Sequence, residues 1–91
     1  MNKPLVSIIT PSLNQEQYIR ETIDSVQAQT YDNIEHIIID GGSSDGTLEY
    51  LEAVNDSRIR VFENCGSIVE SLNTGIAESR GEYVARADGD T

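Results

Sequence analysis

Two aspartates near the end of the sequence have the spacing of a cation site. Asp88 and Asp90 are separated by Gly89 and follow an apolar segment. Two carboxylates in a bent turn can bind one hard cation, and the glycine leaves space for a ligand. Oxygen ligands favour Mg²⁺ or Mn²⁺, which keep coordination positions free for the oxygens of a diphosphate. The alternative is a solvated acidic turn without a function, because surface carboxylates are common.

A third aspartate, Asp40, directly follows the segment Ile34–Ile39, which is apolar toward its end. At the end of a buried strand its carboxylate could accept a hydrogen bond from a nucleobase imide or a ribose hydroxyl. It could equally accept backbone N–H groups from Gly42 or Ser43 and organise the turn. The sequence leaves both roles open.

The segment Pro11–Asn14 lies where a first strand leads into a first helix. Free amide donors at the start of a helix can face an anion, and Ser12 and Asn14 add polar side chains. Turn formation and capping explain the same residues. No Gly-x-Gly-x-x-Gly follows this strand and no Walker sequence is present, so the sequence gives no support to a dinucleotide or P-loop site.

The remaining nucleophiles and bases indicate no second site. His36 lies inside a predicted strand and is expected to be packed rather than catalytic. Cys65 is the only cysteine, so no internal disulfide can form, and no Cys/His cluster has the spacing of a zinc site.

The charge balance excludes some partners. Six basic residues against sixteen acidic ones give a formal net charge of −10. Such a chain is not attracted to nucleic acid or to an anionic membrane surface. An acidic protein that binds a phosphorylated ligand needs a local positive centre, which a divalent cation can supply.

Alternating elements must position these residues. Apolar runs rich in β-branched residues predict strands, and i, i+3, i+4, i+7 apolar spacing predicts helices between them. Proline should end the first strand after Ile9, Asp45 should cap the second helix, and Ser67–Glu70 has the spacing of a capping box. Arg80-Gly81 should close the third helix. The predicted order is Leu5–Ile9, helix 15–29, Ile34–Ile39, helix 45–54, Ile59–Phe62, helix 67–81 and Tyr83–Ala85.

This βαβαβαβ order predicts an α/β fold with a mostly parallel sheet and helices on both faces. In such sheets ligands bind at the carboxyl ends of the strands. The polar segments 11–14, 40–45 and 88–90 each follow a predicted strand. We therefore expect three loops to meet at one edge of the sheet.

The combination of segments resembles the N-terminal region of family 2 glycosyltransferases. It comprises VSIITPSLNQEQYIRETIDSVQAQTYDNIEHIIIDGGSSDGT and then LNTGIAESRGEYVARADGD, nearly the whole chain. The resemblance implies a GT-A (Rossmann-like) fold, truncated after the fourth strand. Residues 1–91 would then form the nucleotide-sugar-binding portion of one glycosyltransferase domain, without the acceptor-binding half.

The family's activity, as the resemblance implies it, is transfer of a sugar with inversion from a nucleoside diphosphate donor, commonly a UDP-sugar. The acceptor would be a hydroxyl of a glycan or a lipid-linked molecule, as in polysaccharide biosynthesis, and the cofactor Mn²⁺ or Mg²⁺. By the same resemblance Asp88 and Asp90 handle the metal and diphosphate. The nucleotide-binding residues carried over are Pro11, Ser12, Asn14, Asp40, Asn73 and Asp88.

Two positions depart from the common family pattern. Leu13 stands where many relatives have tyrosine, which removes an aromatic surface for stacking on a base. Gly41 stands where the commonest form has a second aspartate. The family's catalytic base, an aspartate or glutamate, is expected beyond residue 91, so we expect the chain alone to be inactive.

Another class of protein fits the acidic loops as well. A non-catalytic α/β module could bind a cation or a partner without any nucleotide. A receiver-like domain needs a later lysine, whereas the only lysine is Lys3. The single cysteine and the absence of a long apolar run predict a cytoplasmic protein with no transmembrane segment. The whole enzyme could also bind peripherally to the inner face of a membrane.

Overall fold

Strands and helices alternate along the chain in the predicted order. The computed structural model describes residues 3–54, 56–63 and 67–87, in which four strands and three helices occur. The strands are β1 (Val6–Ser12), β2 (Ile34–Asp40), β3 (Ile59–Glu63) and β4 (Tyr83–Arg86), and the helices are α1 (Glu16–Gln27), α2 (Thr47–Ala53) and α3 (Ile68–Glu78).

The strands form one parallel sheet in the order β3-β2-β1-β4. β1 and β2 pair over seven positions, from Val6 opposite Ile34 to Ser12 opposite Asp40. β4 pairs with β1 over four positions only. The predicted α/β fold with a parallel sheet is confirmed.

Helices cover both faces of β2. All seven of its residues are buried, as the sequence predicted. Successive side chains of a strand point to opposite faces, so Ile38 packs with one cluster and Ile37 and Ile39 with another. The first cluster also contains Ile19, Ile23 and Leu51 from α1 and α2, and the second contains Ile9, Phe62 and, from α3, Leu72.

The prediction that proline ends the first strand is wrong. β1 continues through Pro11, which lies opposite Ile39, to Ser12. The backbone of Ile9 faces β4, because Ile9 O accepts the Ala87 N–H at 2.9 Å. Pro11, two residues further, faces the same side, where β4 has ended at Arg86. The missing N–H of Pro11 therefore removes no bond to β2, which is the edge position that proline tolerates in a sheet.

The helix ends agree with the sequence at one end of α3 and not at the other. Ser67 is the N-cap of α3, and its hydroxyl accepts the Glu70 N–H at 3.2 Å. This bond confirms the serine half of the predicted capping box. Arg80 and Gly81 do not close the helix, because α3 ends at Glu78 and Ser79 is extended. Gly81 instead lies against β1, where an added Cβ would stand 2.7 Å from Leu5 O.

His36 is packed in the protein interior, as expected. Its Nε2 lies 2.8 Å from Thr10 Oγ1, and no partner for Nδ1 is found among the described residues. Burial disfavours the imidazolium and lowers the pKa of His36 from 6.5 to about 4, although the carboxylate of Asp56 acts in the opposite direction.

This low pKa predicts that stability falls under mildly acidic conditions. Between pH 6.5 and about 4 the unfolded chain protonates its histidine and the folded chain does not, so the unfolded state binds more protons there. We expect the free energy of unfolding to fall by about 1 kcal/mol from about pH 7 to about pH 5.5 in urea titrations.

His36 is the only histidine of the chain, so His36→Gln is a clean control. The variant should lose much less stability over the same interval. Equal losses in the parent and the variant would contradict the assignment.

Candidate active site

The carboxyl ends of β1 and β2 meet at one edge of the sheet. Ser12 and Asp40 are the last residues of their strands and lie opposite each other. The contact extends one residue further, because Gly41 N donates to Ser12 O at 2.7 Å. β4 ends on the other side of β1, where Ala87 is bonded to Ile9. The parallel strands β1, β2 and β4 thus all end toward the same edge of the sheet.

Asp40 organises the turn that follows β2. Its carboxylate has no exposed surface. Oδ2 accepts the N–H groups of Gly42 and Ser43 at 2.9 and 2.8 Å, and Oδ1 accepts the Ser43 hydroxyl at 2.5 Å. Gly42 has a φ of 101°, a backbone conformation that side chains disfavour. Of the two roles left open by the sequence, the structure displays the turn-organising one directly.

Asn14 joins the β1–α1 loop to the β2–α2 loop. It has a φ of 51°, in the left-handed region that asparagine adopts more readily than most residues. Its Oδ1 accepts the N–H groups of Ser44 at 2.7 Å and Asp45 at 3.3 Å, and its own N–H donates to Ser43 Oγ at 2.9 Å. Ser43 Oγ also donates to Asp40, so one chain of hydrogen bonds connects both loops.

Asp45 connects the starts of two helices and is not the N-cap of α2, contrary to the sequence prediction. The N-cap is Gly46, which makes no side-chain cap bond. Asp45 Oδ1 accepts the hydroxyl and the N–H of Thr47, and Oδ2 accepts the Glu16 N–H at 3.2 Å. The hydrogen bond from the Thr47 hydroxyl, with those from the two amides, holds the pKa of Asp45 below its ordinary value.

Pro11 and Ser12 are buried within β1 rather than exposed in a loop. Ser12 Oγ is inaccessible to solvent, and no hydrogen-bond partner for it occurs in the described part of the chain. Buried polar groups in native proteins are almost always hydrogen-bonded. An unpartnered hydroxyl opposite Asp40 is therefore an unusual feature of this edge.

Leu13 and Gly41, the two positions that depart from the family pattern, are neighbours. Leu13 is 54% exposed at the tip of the β1–α1 loop. A Cβ added at Gly41 would lie 3.7 Å from the Leu13 side chain and 3.5 Å from Ser12 O, which are ordinary contact distances. The backbone thus has room for a side chain at position 41.

Asn73 is separate from this hydrogen-bonded set. It lies on α3 with an exposed side chain and takes no part in the bonds that join Asp40 to Asn14. Gly75, two residues later, packs against the sheet so closely that an added Cβ would stand 2.5 Å from Ile9 Cγ2. Glycine here serves the approach of α3 to β1.

Asp88 and Asp90 lie outside the described residues, as does Cys65. Within residues 3–54, 56–63 and 67–87, no group of three or more histidine, cysteine or acidic residues could hold a metal ion. Among the same residues, no helix combines the length and the apolar character needed to span a membrane.

Sequence reasoning missed Ser43 and Glu35. The sequence indicates Ser43 only as an amide donor, whereas in the structure its hydroxyl links both loops. Glu35 was a detectable signal, because a carboxylate within an otherwise buried strand requires hydrogen-bond partners. Its contacts lie at the opposite end of the sheet.

Comparisons with known proteins agree with this architecture. The model of the family described as Glycosyl transferase family 2 matches residues 7–91. An uncharacterised glycosyltransferase of Haemophilus influenzae is 45% identical over 98% of this chain, which spans 29% of that protein. The chain therefore spans less than a third of this relative.

Solved structures of similar fold contain bound nucleotides. Staphylococcus aureus TarS 1–349 in complex with UDP-GlcNAc has a TM-score of 0.84 and 28% identity, over 92% of this chain and 26% of that one. The mannosyltransferase PcManGT of Pyrobaculum calidifontis, in complex with GDP-Man and Mn²⁺, has a TM-score of 0.81 and 27% identity, over 96% of this chain and 28% of that one.

The parallel sheet agrees with the family match over residues 7–91 and with the GT-A fold of the similar solved structures. The chain therefore belongs to glycosyltransferase family 2.

Proposed function

We propose that this chain forms the donor-binding part of an inverting glycosyltransferase that uses a nucleoside diphosphate sugar. The observation that carries the proposal is the meeting of the β1–α1 and β2–α2 loops at one edge, with β4 ending beside them. Similar structures hold UDP-GlcNAc or GDP-Man. Family membership favours this function over that of a non-catalytic binding module.

The nucleoside would bind between the segment Pro11–Asn14 and Asp40. Within the described residues, Ser12 Oγ has no partner and Asp40 Oδ1 accepts only the Ser43 hydroxyl, so both retain capacity for a ligand. Asp40 is fully buried, so a base N–H or ribose hydroxyl would reach it after Ser43 Oγ gives up its bond. Asn73 would contribute from α3 on the donor side.

Asp88 and Asp90 would hold Mn²⁺ or Mg²⁺. Their carboxylate oxygens are the donors that these hard cations prefer. When bound, the cation supplies charge neutralisation for the diphosphate leaving group. This chain has a net charge of −10, so its own side chains provide little of that positive charge.

Transfer with inversion also needs a general base for the acceptor hydroxyl. We propose that an aspartate or glutamate outside these 91 residues supplies it, together with the site for a glycan or lipid-linked acceptor. Of the described carboxylates at this edge, Asp40 and Asp45 are engaged by backbone amides and by hydroxyl groups. These bonds fit them for shaping loops rather than for accepting a substrate proton.

The metal role predicts that binding of UDP depends on Mn²⁺. Calorimetric titration of the chain with UDP should give an affinity at least about tenfold higher with Mn²⁺ than without it, because a bound cation contributes several kcal/mol of charge stabilisation. The variant Asp88→Asn/Asp90→Asn should lose this gain.

The variant Asp24→Asn/Asp32→Asn serves as the control, because it removes the same charge from two exposed carboxylates. It should keep the gain. Persistence of the gain in the Asp88/Asp90 variant would show that these aspartates do not bind the metal.

The exposed position of Leu13 predicts a gain of affinity on substitution by tyrosine. Stacking of an aromatic ring on a base contributes about 0.5 to 1.5 kcal/mol, so Leu13→Tyr should bind UDP about two- to tenfold more tightly. Ile76→Tyr, at a similarly exposed apolar position near the carboxyl end of α3 and away from this edge, is the matched control and should leave the affinity unchanged. Equal affinities in both variants would place the base away from Leu13.

A further inference from the structure

Ser43 bridges Asp40 and the β1–α1 loop through its hydroxyl group. The hydroxyl donates to Asp40 Oδ1 at 2.5 Å and accepts the Asn14 N–H at 2.9 Å. Ser43 is half-buried on its loop, whereas Asp40 has no exposed surface. Because Asp40 is closed to solvent, a ligand donor reaches Oδ1 by displacing this hydroxyl.

The backbone around Ser43 is held without the help of its hydroxyl. The N–H groups of Ser43 and Gly42 both donate to Asp40 Oδ2, at 2.8 and 2.9 Å. The next residue, Ser44, donates its N–H to Asn14 Oδ1 at 2.7 Å. The hydroxyl can therefore leave Oδ1 by rotation about one side-chain bond, between staggered rotamers, while these bonds keep the turn in place.

This exchange admits only hydrogen-bond donors. An ionised carboxylate is solely an acceptor, so a base N–H or a ribose hydroxyl can replace the Ser43 hydroxyl on Asp40, whereas a base nitrogen with a lone pair cannot. The Asn14 N–H that Ser43 releases belongs to an exposed residue, where water can accept it. Binding thus exchanges one charge-assisted hydrogen bond for another and does not add one.

The same pattern of bonds occurs at the other buried carboxylate of β2, without this freedom. Ser7 Oγ donates to Glu35 Oε2 at 2.5 Å and accepts the Gly81 N–H at 2.9 Å. Glu35 Oε2 also accepts the Arg80 N–H at 2.6 Å, so these bonds hold the turn that leads into β4. Ser7 lies within β1 and has no exposed surface through which a ligand could displace it.

We propose that Ser43 is a positioning residue whose hydroxyl occupies the acceptor site of Asp40 until a nucleoside donor replaces it, and takes the site back when the nucleotide leaves. This inference rests on the proposed donor-binding function. The returning hydroxyl restores the hydrogen bond that departure of the ligand breaks. Ser43 therefore lowers nucleotide affinity and speeds release of the nucleoside diphosphate product, a step that limits the turnover of many enzymes.

The test measures UDP affinity and stability of the whole chain after the substitution Ser43→Ala. The variant should bind UDP about tenfold more tightly, through slower dissociation, because the ligand no longer competes with a charge-assisted hydrogen bond. Its midpoint of unfolding in urea should fall, because the buried Asp40 loses that bond in the free chain. A serine that only supported the loop would lower affinity and stability together. Titrations without Mn²⁺ keep the result independent of the proposed metal role.

Ser7→Ala is the matched control, since it removes a hydroxyl that makes the same two kinds of bond at the opposite end of the sheet. It should lower the urea midpoint and leave UDP affinity unchanged. If Ser43→Ala does not fold, Ser43→Cys provides the comparison, because a thiol is a weaker donor than a hydroxyl.

Two further ligands identify the group that replaces the hydroxyl. If the donor is a base N–H, the gain in Ser43→Ala persists with 2′,3′-dideoxyuridine diphosphate and disappears with CDP, whose ring nitrogen N3 carries no hydrogen. If the donor is a ribose hydroxyl, the gain persists with CDP and disappears with the dideoxy compound. Either result supports the exchange on Asp40.

A gain of equal size for all three ligands would overturn the exchange, and so would unchanged or weaker UDP binding in Ser43→Ala. A parent chain that binds no UDP would overturn the proposed function and this inference with it. That outcome is seen before any variant is compared, so the two failures are distinguishable.

Discussion

The parallel pairing of β1 with β2, in the register that sets Ser12 opposite Asp40, is the constraint on which the rest of the edge depends. Parallel strands end on the same side, so the two following loops start as neighbours. Only then can the short side chain of Asn14 reach the amides of Ser44 and Asp45. A shift of one residue would turn Asp40 to the other face of the sheet, away from α1 and α2.

Strand β2 carries a buried carboxylate near each end, and both carboxylates fix the backbone of a turn. Asp40 and Glu35 differ in position by an odd number and therefore face opposite sides of the sheet. Asp40 accepts two backbone N–H groups and Glu35 accepts one, and each also accepts a serine hydroxyl, which offsets the cost of burial. Asp40 shapes the loop that leaves the sheet, and Glu35 holds the turn that enters it. The apolar residues between them pack with both helical layers.

Sequence patterns predicted what depends on local periodicity. The order of elements, the buried character of β2, the Ser67 cap and the position of Asp40 at a strand end all follow from apolar spacing and from neighbouring residues. The errors concern partners that are distant in the chain. Whether proline ends a strand depends on which neighbour its nitrogen faces, and Gly81 is explained by its contact with Leu5 and Ser7 rather than by a helix end.

The same limit applies to the candidate site. Of the three predicted segments, the structure brings 11–14 and 40–45 together at one edge, but the sequence could not show that Asn14 and Ser43, which are 29 positions apart, are hydrogen-bonded. Nor could it show that Asp40 is already engaged with its own turn. That engagement is compatible with ligand binding, because a loop fixed before the ligand arrives loses little conformational entropy on binding. A carboxylate that orders the loop through Oδ2 and can exchange the Ser43 hydroxyl for a ligand donor at Oδ1 can serve both purposes, so the structural role of Asp40 supports its proposed role in recognition.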